Sequence, residues 1–184
     1  MSIQRIHTGW NQKDKTRQID QIAGAVAVNI WKISQKTLLS LENEGFETST
    51  WEDRFNVLEE VSCFLIYVAS NELINLPDDK KLTYITDIAK KISDTITSNK
   101  QELKIKDVDE RISFIEKLNE RLEEYSEFPY DMEPNYKTKI ILGNHLMNVM
   151  GNLDNNWIRM YVIDSEVPKM MQPLKTAIKS LVKK

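Results

Sequence analysis

Glu59 and Glu60 stand side by side at the entrance to the most apolar stretch of the chain. Adjacent carboxylates at the mouth of a buried helix are the first place to look for chemistry. Burial raises a carboxylate's pKa, so such a pair can divide acid and base roles or hold a divalent cation. Glu72 lies farther along the same run, and His145 and Asp154 belong to a second apolar segment and its exit. Glu59, Glu60, Glu72, His145 and Asp154 are therefore the candidate lining of a metal or small-ligand site, with a divalent metal as its cofactor. His145, Asn148 and Asn152 recur at three- and four-residue steps and share one helical face. A plainer reading has one glutamate solvated, the other paired with an Arg or Lys of the bundle, and His145 as a hydrogen-bonded structural residue.

Glu59-Glu60-Val61 resembles the opening of the EExxE motif of all-α nucleotide pyrophosphohydrolases of the MazG kind. The resemblance implies carboxylates that hold Mg²⁺ against phosphates, and hydrolysis of a phosphorylated small molecule. Cys63 stands where that motif has its last glutamate, and the second motif, ExxD, appears only as Glu72–Asn75 on the same helix. Di-metal bundles use Glu-x-x-His pairs. The chain has two histidines, His7 and His145, and neither follows a glutamate at that spacing. The sequence contains no GxxxxGK[ST] phosphate loop, no GxGxxG and no Cys/His zinc pattern. The single cysteine, Cys63, lies in the most apolar run and reads as a small core residue.

A second set of residues points to association. Met170, Met171, Leu174, Ile178 and Leu181 repeat at helical spacing near the C-terminus, with Lys169, Lys175, Lys179, Lys183 and Lys184 on the other faces. Together with Trp10 they form a candidate interface for a homo-oligomer, a homodimer above all, or for another protein. The basic face also suits the acidic region around Glu120–Glu133, and Val167–Lys184 is a lesser candidate for lying on an anionic membrane surface. The preferred function is thus non-enzymatic, self-association or protein–protein interaction. A metal- or ligand-binding bundle is the alternative.

These residues need positioning elements, and the pattern supplies helices. Five glycines and five prolines in 184 residues leave few tight turns, and the charges fall at helical steps. The spacing predicts helices over 17–44, 50–76, 79–98, 107–125, 135–152, 156–162 and from about Pro168 onward. The second is apolar on all sides from Val61 to Ala69, which marks a buried central helix. Gly45 suits the left-handed position after the first helix. Ser49 or Thr50 suits the cap of the second, Asp107 with Glu110 a capping box for the fourth, and Pro77 closes the central helix. Lys100 falls on the outer face of the third helix, and Lys117 with Arg121 on the outer face of the fourth. Gly143, Met147 and Gly151 share a face that would press on the central helix. The expected fold is all-α, an irregular bundle of six or seven helices around a central apolar helix, in one domain over 1–184, with 1–16 an N-terminal arm free to move.

Composition narrows the class further. Apolar residues make up 41% and charged residues 29%, ordinary for a globular chain. The formal net charge of −3 lacks the basic excess with which proteins neutralise phosphates, so nucleic acid is not an expected partner. MSIQRIHTGWNQ has no apolar segment of the signal-peptide kind, which places the chain in the cytoplasm.

Overall fold

A computed structural model describes residues 19–73, 77–105, 109–150 and 155–182. The chain is an all-α bundle. Among the described residues it forms α1 (Ile19–Asn43), α2 (Trp51–Glu72), α3 (Asp78–Glu102), α4 (Arg111–Ser126), α5 (Tyr136–Val149), α6 (Asn155–Tyr161) and α7 (Val167–Val182). A π-helical turn, Val162–Glu166, joins α6 to α7. The expected arm over 1–16, with Trp10, lies outside the described residues.

Helix α2 is the hub. It packs against α1, α3, α4, α5 and α7. Every residue from Val57 to Ser70 is buried, and the consecutive Phe64, Leu65 and Ile66 expose nothing. Each such side chain contributes about 1.5–3 kcal/mol by leaving water. The helix starts on a capping box: Thr50 Oγ1 accepts from the Asp53 N–H at 3.1 Å, and Asp53 Oδ2 accepts from the Thr50 N–H at 2.9 Å. Ser34 and Ser62 hydroxyls, 3.0 Å apart, pair in the buried seam between α1 and α2.

Helix α1 ends as its glycine foretells. Gly45 has φ +87°, the Gly45 N–H donates to the Glu42 carbonyl at 3.0 Å, and the Phe46 N–H donates to that of Leu41 at 3.1 Å. That double bond closes the last turn and sends Phe46 into the core. Near its start, Gly24 lets the aliphatic stem of Lys91 lie against the backbone, where an added Cβ would stand 3.5 Å from Cε.

Several boundaries differ from the sequence expectation. α2 ends at Glu72 rather than running to Pro77, which is instead the residue before α3. The Ser70 hydroxyl and the Asn71 amide both donate to the Tyr67 carbonyl, at 2.7 and 2.9 Å, and side chains that compete for backbone acceptors favour termination. α4 begins at Arg111 with Glu110 at its N-cap, and no side-chain cap bond forms. The Glu110 carboxylate is drawn 3.4 Å from Lys100 instead, and Asp107 lies outside the described residues.

The last two helices do not separate. Pro168 has no N–H to bond the carbonyl four residues back, and its ring would crowd that carbonyl. The chain widens into the π turn immediately before it, with the Val167 N–H donating to the Val162 carbonyl. Pro168 then sits in the first turn of α7, where no N–H is needed. The π turn buries Glu166, which accepts from Ser40 Oγ at 2.9 Å and Lys169 Nζ at 2.8 Å.

The stripe on α7 is spent inside the molecule. Met170 and Leu174 expose nothing, Ile178 and Met171 are buried, Leu181 is partly buried, and α7 packs on α1 and α2. Those side chains, expected at an interface, complete the chain's own core. Met170, Met171, Leu174 and Ile178, being buried, are not available to lie on a membrane surface. No helix among the described residues is long and apolar enough to cross a membrane.

Candidate functional site

Both glutamates are buried, Glu59 with 4% and Glu60 with 2% of its surface exposed. The plainer expectation, one solvated and one paired, is corrected, since each has its own cations. Lys100 comes in from α3, with Nζ 3.1 Å from Glu59, 3.4 Å from Glu110 and 3.5 Å from Glu52. Lys117 comes from α4 and donates to the other oxygen of Glu59, with Asn56 Oδ1 3.5 Å from the same ammonium. Arg121, one turn further along α4, takes Glu60 in a two-pronged grip at 2.8 and 2.9 Å. Three residues expected on outer faces, Lys100, Lys117 and Arg121, therefore point inward. Hydrophobic periodicity counts a lysine as an outward residue, and an opposing buried carboxylate reverses that assignment.

A second arm extends from Arg121. Its Nη1 lies 3.4 Å from Glu124 Oε1, and Glu124 Oε2 lies 2.6 Å from His145 Nε2 on α5. Glu60 and His145 are thus joined through two side chains that the sequence did not single out. The only signal for them was the Arg121–Glu124 spacing of three residues on α4. Glu72 stands apart, twelve residues from Glu60 along α2, or about 18 Å at 1.5 Å per residue. It accepts from the Tyr130 hydroxyl at 2.7 Å and pairs with Lys175 Nζ at 3.0 Å. Asp154 and Asn152 lie outside the described residues. The five candidate residues do not share one lining.

The electrostatics follow from the packing. Burial works against the Lys100 charge, but Glu59, then Glu52 and Glu110, outweigh it and hold the ammonium pKa above its ordinary value. Hydrogen bonds to Glu60 raise that of Arg121. Burial pushes the Cys63 thiol well up, and the nearby Glu60 charge adds to it, so the thiol stays protonated and unreactive. Mg²⁺ chemistry on phosphates needs carboxylate oxygens free to ligate. Those of Glu59 and Glu60 are engaged by lysine and arginine, and no group of three His, Cys, Asp or Glu among the described residues is placed to hold a metal. The arrangement works as a buried counter-ion network that locks α2, α3 and α4 in register.

Two surface features complete the candidates. A groove of about 440 Å³ runs between α3 and α4, lined by Lys90, Ser93, Asp94, Arg111, Ile112, Ile115 and Glu116. A second pocket, of about 380 Å³, lies where α2 and α4 end, against the loop Phe128–Tyr130. Close packing of α5 also differs from expectation. An added Cβ at Gly143 would meet Arg159 Cγ at 2.8 Å, so the closest approach at Gly143 is to α6 rather than to the central helix, and Gly151 lies outside the described residues.

The chain matches no family model, and no curated protein or solved structure matches it. Geometry and chemistry alone carry its functional reading.

Proposed function

We propose that this helical protein acts by association, as a homodimer formed across the outer groove between α3 and α4. The observation that carries the reading is Ile112, a large aliphatic side chain left 71% exposed at the edge of that groove. Ile115 lies one turn on, partly buried in the same wall. Leu82, 67% exposed, lies eleven residues before Ser93 and so shares its face of α3. An apolar strip rimmed by charge is the make-up of a protein interface.

The rim selects the occupant. It holds two cations, Lys90 and Arg111, and two anions, Asp94 and Glu116. A two-fold interface sets one surface against its own copy, so a rim balanced in sign can pair with itself. Arg111 already pairs with Asp94 and Asp109, but the Arg111 and Asp94 side chains are about half exposed, and exchanging such a pair for one across an interface costs little.

Sedimentation velocity on the full chain tests this. The native chain is expected to sediment as a dimer at about 0.1 mM, well above a micromolar Kd. Ile112→Lys is expected to sediment as a monomer with an unchanged circular dichroism spectrum, because the side chain it alters is already in water. A monomer at that concentration, or a dimer that Ile112→Lys leaves intact, overturns the reading.

A further inference from the structure

The pocket at the joint end of α2 and α4 has a make-up that fits one chemical class of ligand. Its lining is Tyr67, Ser70, Asn71, Leu122, Ser126, Phe128, Pro129 and Tyr130, and none of these side chains is charged. The rings of Tyr67 and Tyr130 meet as a corner, 5.9 Å between centroids and 74° between planes. Phe128 adds a third aromatic wall. From these observations we propose that this corner binds a small alkylated ammonium cation.

Four features converge on a cation. Aromatic faces carry negative potential, and a corner of rings is the geometry by which proteins recognise quaternary ammonium groups. Ser70 and Asn71 lie in the last turn of α2, and Ser126 is the last residue of α4. Each helix end presents the negative pole of its dipole; neither has a basic residue in its own last turn, and Lys175, which reaches the end of α2 from α7, is paired with Glu72.

The polar wall is the third feature. Ser126 Oγ gives its proton to the Glu123 carbonyl, and Ser70 Oγ gives its proton to the Tyr67 carbonyl while accepting from the Asn71 amide at 3.4 Å, so neither hydroxyl has a proton left to set against a cation. The fourth is Tyr130, whose hydroxyl donates to Glu72, which enriches the ring in electrons. Two of the rings already carry an ammonium of the chain, which an incoming cation must share or displace, whereas no lysine or arginine among the described residues lies over the Tyr67 ring. Lys137 Nζ lies 5.2 Å from the Phe128 centroid, and Lys175 Nζ lies 5.9 Å from that of Tyr130. The pocket volume of about 380 Å³ falls in the range of small-molecule sites.

Charge, rather than shape, is the claim, and the test isolates it. Choline is titrated into the full chain by calorimetry, beside its uncharged isostere in which a quaternary carbon replaces the nitrogen. Choline is expected to bind at least about tenfold more tightly, the worth of one desolvated cation–aromatic contact. Ser126 is exposed, so Ser126→Lys sets a competing charge at the rim without touching the core. It is expected to weaken choline by about tenfold or more and leave the spectrum of the folded chain unchanged.

Co-sedimentation with phosphatidylcholine vesicles, lost in Ser126→Lys, would assign the ammonium to a lipid headgroup. Choline binding without co-sedimentation would assign it to a free solute. Equal binding of the isostere, no binding of choline, or indifference to Ser126→Lys overturns the proposal.

Discussion

The guanidinium of Arg121 holds the carboxylate of Glu60 through two parallel hydrogen bonds, Nε to Oε2 at 2.8 Å and Nη2 to Oε1 at 2.9 Å, with 13% and 3% of the two side chains exposed. The pair ties α4 to the hub helix at the point where that helix is wholly enclosed. Its attraction offsets the cost of taking two charges out of water, so neither partner is dispensable alone.

Arg121→Met is therefore expected to destabilise the chain by about 3–5 kcal/mol, because it leaves Glu60 as a buried charge with no counter-ion. Replacing both partners, Glu60→Leu with Arg121→Met, is expected to recover most of that loss, since two apolar side chains of similar size leave nothing unpaired. Urea unfolding of the four proteins of this cycle measures both quantities. A single-variant loss below about 1 kcal/mol would mean that the pair is as weak as a surface ion pair.

Stability should fall at alkaline pH. Burial raises the pKa of Cys63, Tyr67, Tyr84, Tyr125 and Tyr130, and Glu59 raises that of Lys100 against its own burial. A group whose pKa is higher in the folded chain keeps its proton there after the unfolded chain has lost it. The unfolded state then binds fewer protons, and stability decreases with pH. The contribution is complete below the unfolded values, about 8.5 for cysteine and 10 for tyrosine and lysine, and is lost above them. Thermal melts from neutral pH upward should show a falling midpoint that begins near the cysteine value. In Cys63→Ala the fall should begin later, near the tyrosine value. A midpoint flat through pH 11, about one unit above the ordinary tyrosine value, would contradict the burial of these phenols.

The central helix was legible in the sequence because a run from Val61 to Ala69 in which only Ser62 is clearly polar has one stable placement, surrounded on all sides. Gly45 and a cap at Ser49 or Thr50 were legible because their roles are local, and the structure puts the cap on Thr50. The counter-ions of Glu59 and Glu60 were not, because Lys100, Lys117 and Arg121 lie some forty to sixty residues away. Their inward direction follows from which helices pack together, and no local pattern encodes that. The α7 stripe illustrates the same limit: periodicity shows that Met170, Leu174 and Ile178 must be covered, but not whether the chain or a partner covers them. The aromatic corner of Tyr67 and Tyr130 combines a helix end with an irregular loop, and neither segment carries a recognisable signature by itself.

Lys104→Gly is expected to stabilise the chain by about 0.5–1 kcal/mol. Lys104 closes α3 with φ +54°, and its N–H and that of Ile105 donate to the Gln101 and Lys100 carbonyls at 2.9 and 3.0 Å. The bonding is that of the Gly45 turn, on a residue whose Cβ crowds its own carbonyl at a cost of about 1–2 kcal/mol. Glycine removes that strain, and its greater freedom in the unfolded chain returns part of the gain. A shift of the urea midpoint to higher concentration at constant slope measures it. No shift would mean that Lys104 is not held at positive φ in solution.

Gly143→Ala opposes two effects of similar size, and the packing decides the sign. Alanine favours a helix over glycine by about 1 kcal/mol. Its methyl group, however, would stand 2.8 Å from Arg159 Cγ and 3.3 Å from the Arg159 carbonyl oxygen. The first contact is one bond beyond Cβ and gives only by a change of χ1, and the second is with backbone and cannot swing aside, so α5 must move away from α6. Overpacking of this kind costs about 1–3 kcal/mol, so a net loss of up to about 2 kcal/mol is expected. Asn148→Ala, on the exposed face of the same helix, is expected to gain a few tenths of a kcal/mol from propensity alone. Arg159→Ala added to Gly143→Ala removes the side-chain clash and keeps the backbone one, so it should recover part of the loss and not all of it. Thermal unfolding of these variants separates the terms, and a stabilised Gly143→Ala would show that α5 and α6 are not in close contact at this point.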